Sequence, residues 1–210
     1  AGLMPQSRVG EAMAREDRRA PVDAIVFLGD NFYPRGLTPD TLEQRVGQNV
    51  VAPYGYFVTL TRLGRGELGD HCALAQEATH PVPLIAVLGN HDVGLGQGFS
   101  LQRRGIARLV GNWLMPEGAR SYELGAGVSL VAYDSNATKG GRPAADLARA
   151  LADSKGPWRI LAAHHPIADP GAGWHAGDAA PVLEAIRASG KTVQLFLGGH
   201  QHSLQALRAP

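Results

Sequence analysis

Residues 29–36 read GDNFYPRG and follow directly on the apolar run AIVFL, residues 24–28. A short, continuous apolar run bounded by turn residues is the pattern of a strand covered on both faces. Gly, Asp and Asn are ordinary turn formers, so Gly29, Asp30 and Asn31 would close such a strand without further meaning. Tyr33, placed three residues after Asp30, is the part that ordinary turn chemistry leaves unexplained.

The same kind of ending recurs along the chain. The run VPLIAVLG stops in Gly89-Asn90-His91-Asp92, and WRILAAH runs into His164-His165. The run TVQLFLGG ends in Gly199-His200-Gln201-His202. In open α/β sheets, ligands bind outside the carboxyl ends of the strands. That edge would gather a carboxylate, an amide oxygen and several imidazoles, a donor mix that suits Zn, Mn, Fe or Co rather than Ca or Mg alone. Taken singly, GD and GN are turns, and a lone His is a structural or surface residue. Such features at the ends of four different strands are hard to explain as independent turns.

Helical patterns separate these strands. SRVGEAMAREDRR, TPDTLEQRVGQNVVAPY, SLQRRGIARLVGNWL, PAADLARALADS and APVLEAIRASG read as helices, the second stopped by Pro53 and the last closed by Gly190. SYELGAGVSLVAYD reads as a hairpin with GAG as its turn, and residues 54–80 read mainly as loop. Strands alternating with helices argue for a layered α/β domain, with residues 1–210 forming a single one. A hydrophobic fraction of 44%, a charged fraction of 19% and a formal charge of +1 describe a globular chain with no electrostatic case for nucleic acid or an anionic membrane. Cys72 is the single cysteine, so no internal disulfide forms. The longest apolar runs fall well short of the roughly 18 residues of a membrane span, and the first residues do not read as an intact signal peptide.

Taken together and in this order, GDNFY, GNHD, the His in AAHHP and GHQH resemble the blocks of the calcineurin-like metallophosphoesterases. Tyr33, with GHQHSLQ, is closer to the purple acid phosphatase branch, of the small tartrate-resistant type. The resemblance covers about residues 20 to 205. It implies an α/β/β/α sandwich with mixed β-sheets and a pair of metal ions, Fe with Fe, Zn or Mn. It makes Asp30 the bridging carboxylate, Tyr33 a phenolate ligand and His202 a ligand of the first metal. The second metal takes Asn90, His164 and His200. The residue types agree: a carboxylate can bridge cations about 3.5 Å apart, a phenolate is a hard anion suited to Fe(III), and Asn90 adds a neutral oxygen. His91 faces the phosphoryl group with Asp92 placed to orient it, and His175 in GAGWHAGD is a second substrate-side imidazole. Asp134 resembles a structural strand-end Asp, His165 stands where a Tyr is frequent, and His71 and Cys72 read as surface residues.

The implied activity is hydrolysis of phosphomonoesters, small-molecule phosphate esters, by a dinuclear centre and a metal-bound hydroxide. The alternatives are a phosphodiesterase or nucleotide hydrolase of the same superfamily, and a non-catalytic metal-binding fragment; Tyr33 favours the monoesterase. An extracytoplasmic or secreted location follows from the resemblance alone. The family's first block, a strand ending in GDWG or GDxH, has no counterpart, and the chain stops soon after His202. The expectation is a fragment truncated at both ends, lacking its first strand, its C-terminal strands and one carboxylate of the first metal.

Overall fold

The structure is a computed structural model and describes residues 4–68, 79–94, 98–168 and 176–208. Two compact units divide the chain: Ala1–Phe27, Asn31–Ala86 and His91–Met115 form the first, and Leu28–Asp30, Val87–Asn90 and Pro116–Pro210 the second. The architecture is mixed α/β with two sheets, in keeping with the α/β class read from the sequence. Among the described residues no helix is long and apolar enough to cross a membrane.

In the first unit, helix α1 (Met4–Asp17) precedes strand β1 (Ile25–Phe27). Helix α2 (Leu42–Val46) passes through a π turn, Gly47–Val51, into α3 (Ala52–Tyr54). Pro53 therefore does not stop the helix as the sequence suggests. The π turn resets the hydrogen-bond register, and Pro53 falls in the first turn of α3, where its missing N–H costs little. The second departure is α4 (Arg62–Leu68), inside the stretch that reads as loop. Thr61 Oγ1 accepts the Gly64 N–H at 2.9 Å and starts this helix. Strand β2 (Leu84–Ala86), the short α5 (Gly98–Ser100), α6 (Ile106–Leu109) and β3 (Trp113–Leu114) complete the unit. The three strands are parallel in the order β1-β2-β3, with Ile25 opposite Leu84 and Leu84 opposite Trp113. Every residue of β2 is buried, which is why its sequence is continuously apolar.

A buried carboxylate ties this unit together. Asp17 Oδ1 accepts the Val22 N–H at 2.9 Å and meets His80 Nδ1 at 2.8 Å, while Oδ2 accepts the Tyr56 hydroxyl at 2.9 Å.

The second unit is built on strands β4 (Ala119–Glu123), β5 (Val128–Tyr133), β6 (Trp158–Ala162) and β7 (Leu195–Leu197), with helices α7 (Ala145–Asp153) and α8 (Ala176–Ser189). β4 and β5 form the expected antiparallel hairpin; β5, β6 and β7 are parallel. The turn Gly125-Ala126-Gly127 takes positive φ at all three residues, 84°, 48° and 78°, which explains its glycines. Alternate residues Val131, Tyr133, Leu161 and Ala163 are buried with Leu147, Leu151, Val182 and Ala185 of the two helices. Parallel strands put the exits of β6 and β7 at the same end of the sheet, and those exits carry His164 and His200. Of the tryptophans, Trp113 is core and Trp158 is exposed; Trp174 lies outside the described residues.

Two stability tests follow. A Cβ on Gly64 would sit 2.0 Å from the Leu109 carbonyl oxygen, whereas a Cβ on Gly66 would meet nothing within 4 Å. Gly66→Ala should stabilise by about 0.5–1 kcal/mol through helix propensity. Gly64→Ala should destabilise by about 1–3 kcal/mol through overpacking; urea melts of both variants check the opposite signs. Burial would raise the Asp17 carboxyl, but its hydrogen bonds from Val22, His80 and Tyr56 outweigh burial and hold it below the usual carboxylate value. That contribution is present above the unfolded pKa and is lost as pH falls through the lower folded value. Asp17→Asn should lower the melting temperature at pH 7 and shrink its fall on acidification, as a pH series of thermal melts would show.

Candidate metal centre

Asp30, Asn90, His164 and His200 lie on four separate segments, all within the second unit. His164 is fully buried, and its Nδ1 lies 2.8 Å from the Leu28 carbonyl oxygen. A carbonyl can only accept, so Nδ1 carries a proton, and in the neutral ring the lone pair is on Nε2. That Nε2 lies 3.0 Å from Asn90 Oδ1, 3.2 Å from His200 Nδ1 and 3.4 Å from Asp30 Oδ1. His200 Nδ1 is itself 3.0 Å from Asn90 Oδ1. Two oxygens and two ring nitrogens therefore face one another. A carboxylate oxygen, an amide oxygen and two imidazole nitrogens are the atom types that Zn, Mn or Fe prefer. The backbone bond on His164 is the outer-shell support expected of a metal-ligating imidazole.

The backbone is bent to make this cluster. Asp30 and His200 both adopt left-handed conformations, with φ of 51° and 68°. A non-glycine residue there costs about 1–3 kcal/mol and persists where its surroundings fix it, often at functional sites. A Cβ on Gly89 would lie 2.1 Å from Asp30 Oδ1 and 2.2 Å from Asp30 N. One on Gly29 would lie 2.6 Å from His164 Nδ1, and one on Gly199 2.6 Å from the Leu28 carbonyl oxygen. The glycines before Asp30, Asn90 and His200 are thus a packing requirement: a side chain at any of them would strike the neighbouring segment.

Asp134 supports the cluster from outside. It accepts the Asn136 side-chain and backbone N–H groups at 2.8 and 3.0 Å, and Asn136 Nδ2 also reaches the Leu88 carbonyl oxygen at 3.3 Å, just ahead of Asn90. Burial raises the Asp134 carboxyl, with the Asn136 bonds pulling the other way.

His165 is the residue that sequence reasoning set aside and the structure brings in. One ring nitrogen each of His164, His165 and His200 lie within 4.8 Å of one another. Its Nδ1 lies 2.7 Å from Ser135 Oγ, and the same oxygen accepts the His165 backbone N–H at 3.0 Å. Burial first, then the neighbouring His164 and His200, push its pKa down to about 4. Ser135 carries no sequence signal that would have singled it out.

Of the other expected residues, Tyr33, His91 and Asp92 belong to the first unit and His202 to the second. In the first unit the fully buried Asp92 accepts the Asn31 N–H at 3.1 Å through Oδ2 and the Phe32 N–H at 3.0 Å through Oδ1. His91 Nδ1 meets the Pro34 carbonyl oxygen at 2.7 Å, and its ring lies 4.6 Å from that of Tyr33. Arg45 donates to the Tyr33 carbonyl oxygen. His202 is exposed in the second unit. His175, His71 and Cys72 fall outside the described residues. Gly89→Ala should displace the Asp30 carboxylate and weaken zinc binding by about tenfold or more, measured by calorimetry, with the far-ultraviolet dichroism retained.

Residues 7–204 match the calcineurin-like phosphoesterase family. The chain is also similar to "Purple acid phosphatase 3" of Arabidopsis thaliana, 25% identical over 221 residues, covering 97% of this chain and 55% of that protein. The chain thus spans about half the length of the curated relative it matches. Since the family match takes in nearly the whole chain, including all four segments that converge on His164, this chain belongs to the calcineurin-like phosphoesterase family.

Proposed function

We propose that this chain is a metal-dependent hydrolase of phosphomonoesters, of the purple acid phosphatase kind, with residues 1–210 acting as one catalytic domain. The observation that carries the reading is the convergence of Asp30 Oδ1, Asn90 Oδ1, His164 Nε2 and His200 Nδ1 on a common point. Phosphoester hydrolysis is the family's chemistry, and bound metal ions supply it with Lewis acidity and an activated water. Asp30 brings the negative charge and the second oxygen that a bridge between two ions would need. Asn90 adds an oxygen without charge, and the Leu28 bond keeps His164 facing inward through Nε2.

The first ion, an Fe paired with Fe, Zn or Mn in the second position, rests on the family resemblance of the motifs, which gives it Tyr33 and His202. The same motifs give His91 and His175 to the phosphate, with Asp92 supporting His91. Pro34 engages Nδ1 of His91, so Nε2 is the nitrogen through which His91 would act. Tyr33 is also the residue that favours a monoester over a diester substrate. The partner is a small-molecule phosphate ester.

Elemental analysis combined with turnover of p-nitrophenyl phosphate and of its bis ester tests the reading. The expected result is at least one tightly held transition-metal ion and faster hydrolysis of the monoester. A faster bis ester reaction would make the chain a diesterase, and bound metal without turnover of either would make it a binding protein. His91→Ala should lower kcat by about tenfold or more with metal content retained; loss of an ion in that variant would move His91 among the ligands.

A further inference from the structure

We propose that Ser135 is a positioning residue that fixes His165 as its Nε2–H tautomer, so that His165 serves the metal centre as a hydrogen-bond donor to phosphate and not as a metal ligand. The phosphate part of this inference rests on the function proposed above; the tautomer part does not.

The argument is a comparison of two adjacent histidines. Nδ1 of His164 faces a carbonyl oxygen at 2.8 Å, and Nδ1 of His165 faces a hydroxyl oxygen at 2.7 Å. The carbonyl can only accept, so His164 holds its proton on Nδ1. The hydroxyl can do either, and its other bond decides which. Ser135 Oγ already accepts the His165 backbone N–H at 3.0 Å. Ser135 is 2% exposed, so its own proton has no ready access to water and must find an acceptor within the protein. Among the described residues, the acceptor in reach is Nδ1 of His165. Ser135 therefore donates, Nδ1 accepts, and the ring proton of His165 lies on Nε2. Two neighbours with similar Nδ1 distances thus hold opposite tautomers, one offering a lone pair and the other an N–H.

The surroundings hold Ser135 in this role. It begins the turn Ser135–Thr138, where Asp134 accepts the Asn136 N–H and Thr138 Oγ1 donates to the Ser135 carbonyl oxygen at 3.0 Å. The His165 ring lies 4.9 Å from that of His164 and 4.8 Å from that of His200, close enough to serve a group bound at the cluster. An N–H donor suits a phosphate oxygen and cannot bind a cation.

The test begins with ¹⁵N NMR of the histidine rings in the metal-free protein. His165 should show a pyrrole-type Nε2 and a pyridine-type Nδ1, and His164 the reverse. Ser135→Ala should lose the single tautomer at His165, and Ser135→Thr, which keeps the hydroxyl, should restore it. On adding zinc, the His164 signals should move and the His165 Nε2–H should persist. His165→Ala should keep the zinc affinity of the wild type, while the zinc-loaded variant binds inorganic phosphate about tenfold or more weakly, the size of one hydrogen bond to a charged group. A wild-type His165 protonated on Nδ1, or loss of zinc from His165→Ala, would overturn the proposal by making His165 a ligand. Unchanged phosphate affinity would remove its donor role. A wild-type protein that binds no zinc would sink the proposed function and the phosphate part together, while the tautomer result would still stand.

Discussion

The bond from His164 to the Leu28 carbonyl oxygen is the constraint on which the centre depends. It links the exit of β6 to the segment that follows β1 in sequence, across 136 residues of chain. It also chooses the tautomer, and so decides that Nε2 carries a lone pair. Without that choice, His164 Nε2–H could donate to Asn90 Oδ1 or Asp30 Oδ1, and the cluster would be an ordinary buried hydrogen-bond network. With it, a carboxylate oxygen, an amide oxygen and imidazole nitrogens are gathered together, a set of atom types that a transition-metal cation suits.

Close approach of backbone and side chain makes that bond possible. Gly29, Gly89 and Gly199 surround it, and a Cβ on any of them would strike Asp30, His164 or Leu28. Asp30 and His200 accept left-handed backbone in the same place. Strain of about 1–3 kcal/mol at each persists where the surroundings fix the backbone. In the second unit the parallel strands β6 and β7 bring His164 and His200 to one end of their sheet, and the glycines let Asp30 and Asn90 crowd against them.

Much of this was legible in the sequence because the pattern is local. Asp30, Asn90, His164 and His200 each follow an apolar run by one to three residues, so strand ends brought them forward with their neighbours and the family resemblance selected among them. The hairpin turn at Gly125–Gly127 and the helix stop at Gly190 were readable for the same reason, since positive φ calls for glycine. What escaped was decided by distant contacts. Helix α4 reads as loop because of its glycines, yet Gly64 is there to let the helix meet the Leu109 carbonyl. The helix that continues through Pro53 depends on a π turn that no propensity announces. His165 looks like a spare neighbour of a ligand until Ser135, thirty residues away, is seen to hold its ring.

Anomalous diffraction from zinc-soaked crystals of this chain tests the central claim most directly. The account predicts a peak bonded to Asp30, Asn90 Oδ1, His164 Nε2 and His200 Nδ1 at about 2.0–2.2 Å, with the Leu28 bond to His164 Nδ1 unbroken. An empty cluster, or a zinc ion bound through Nδ1 of His164 with the Leu28 bond lost, would contradict it.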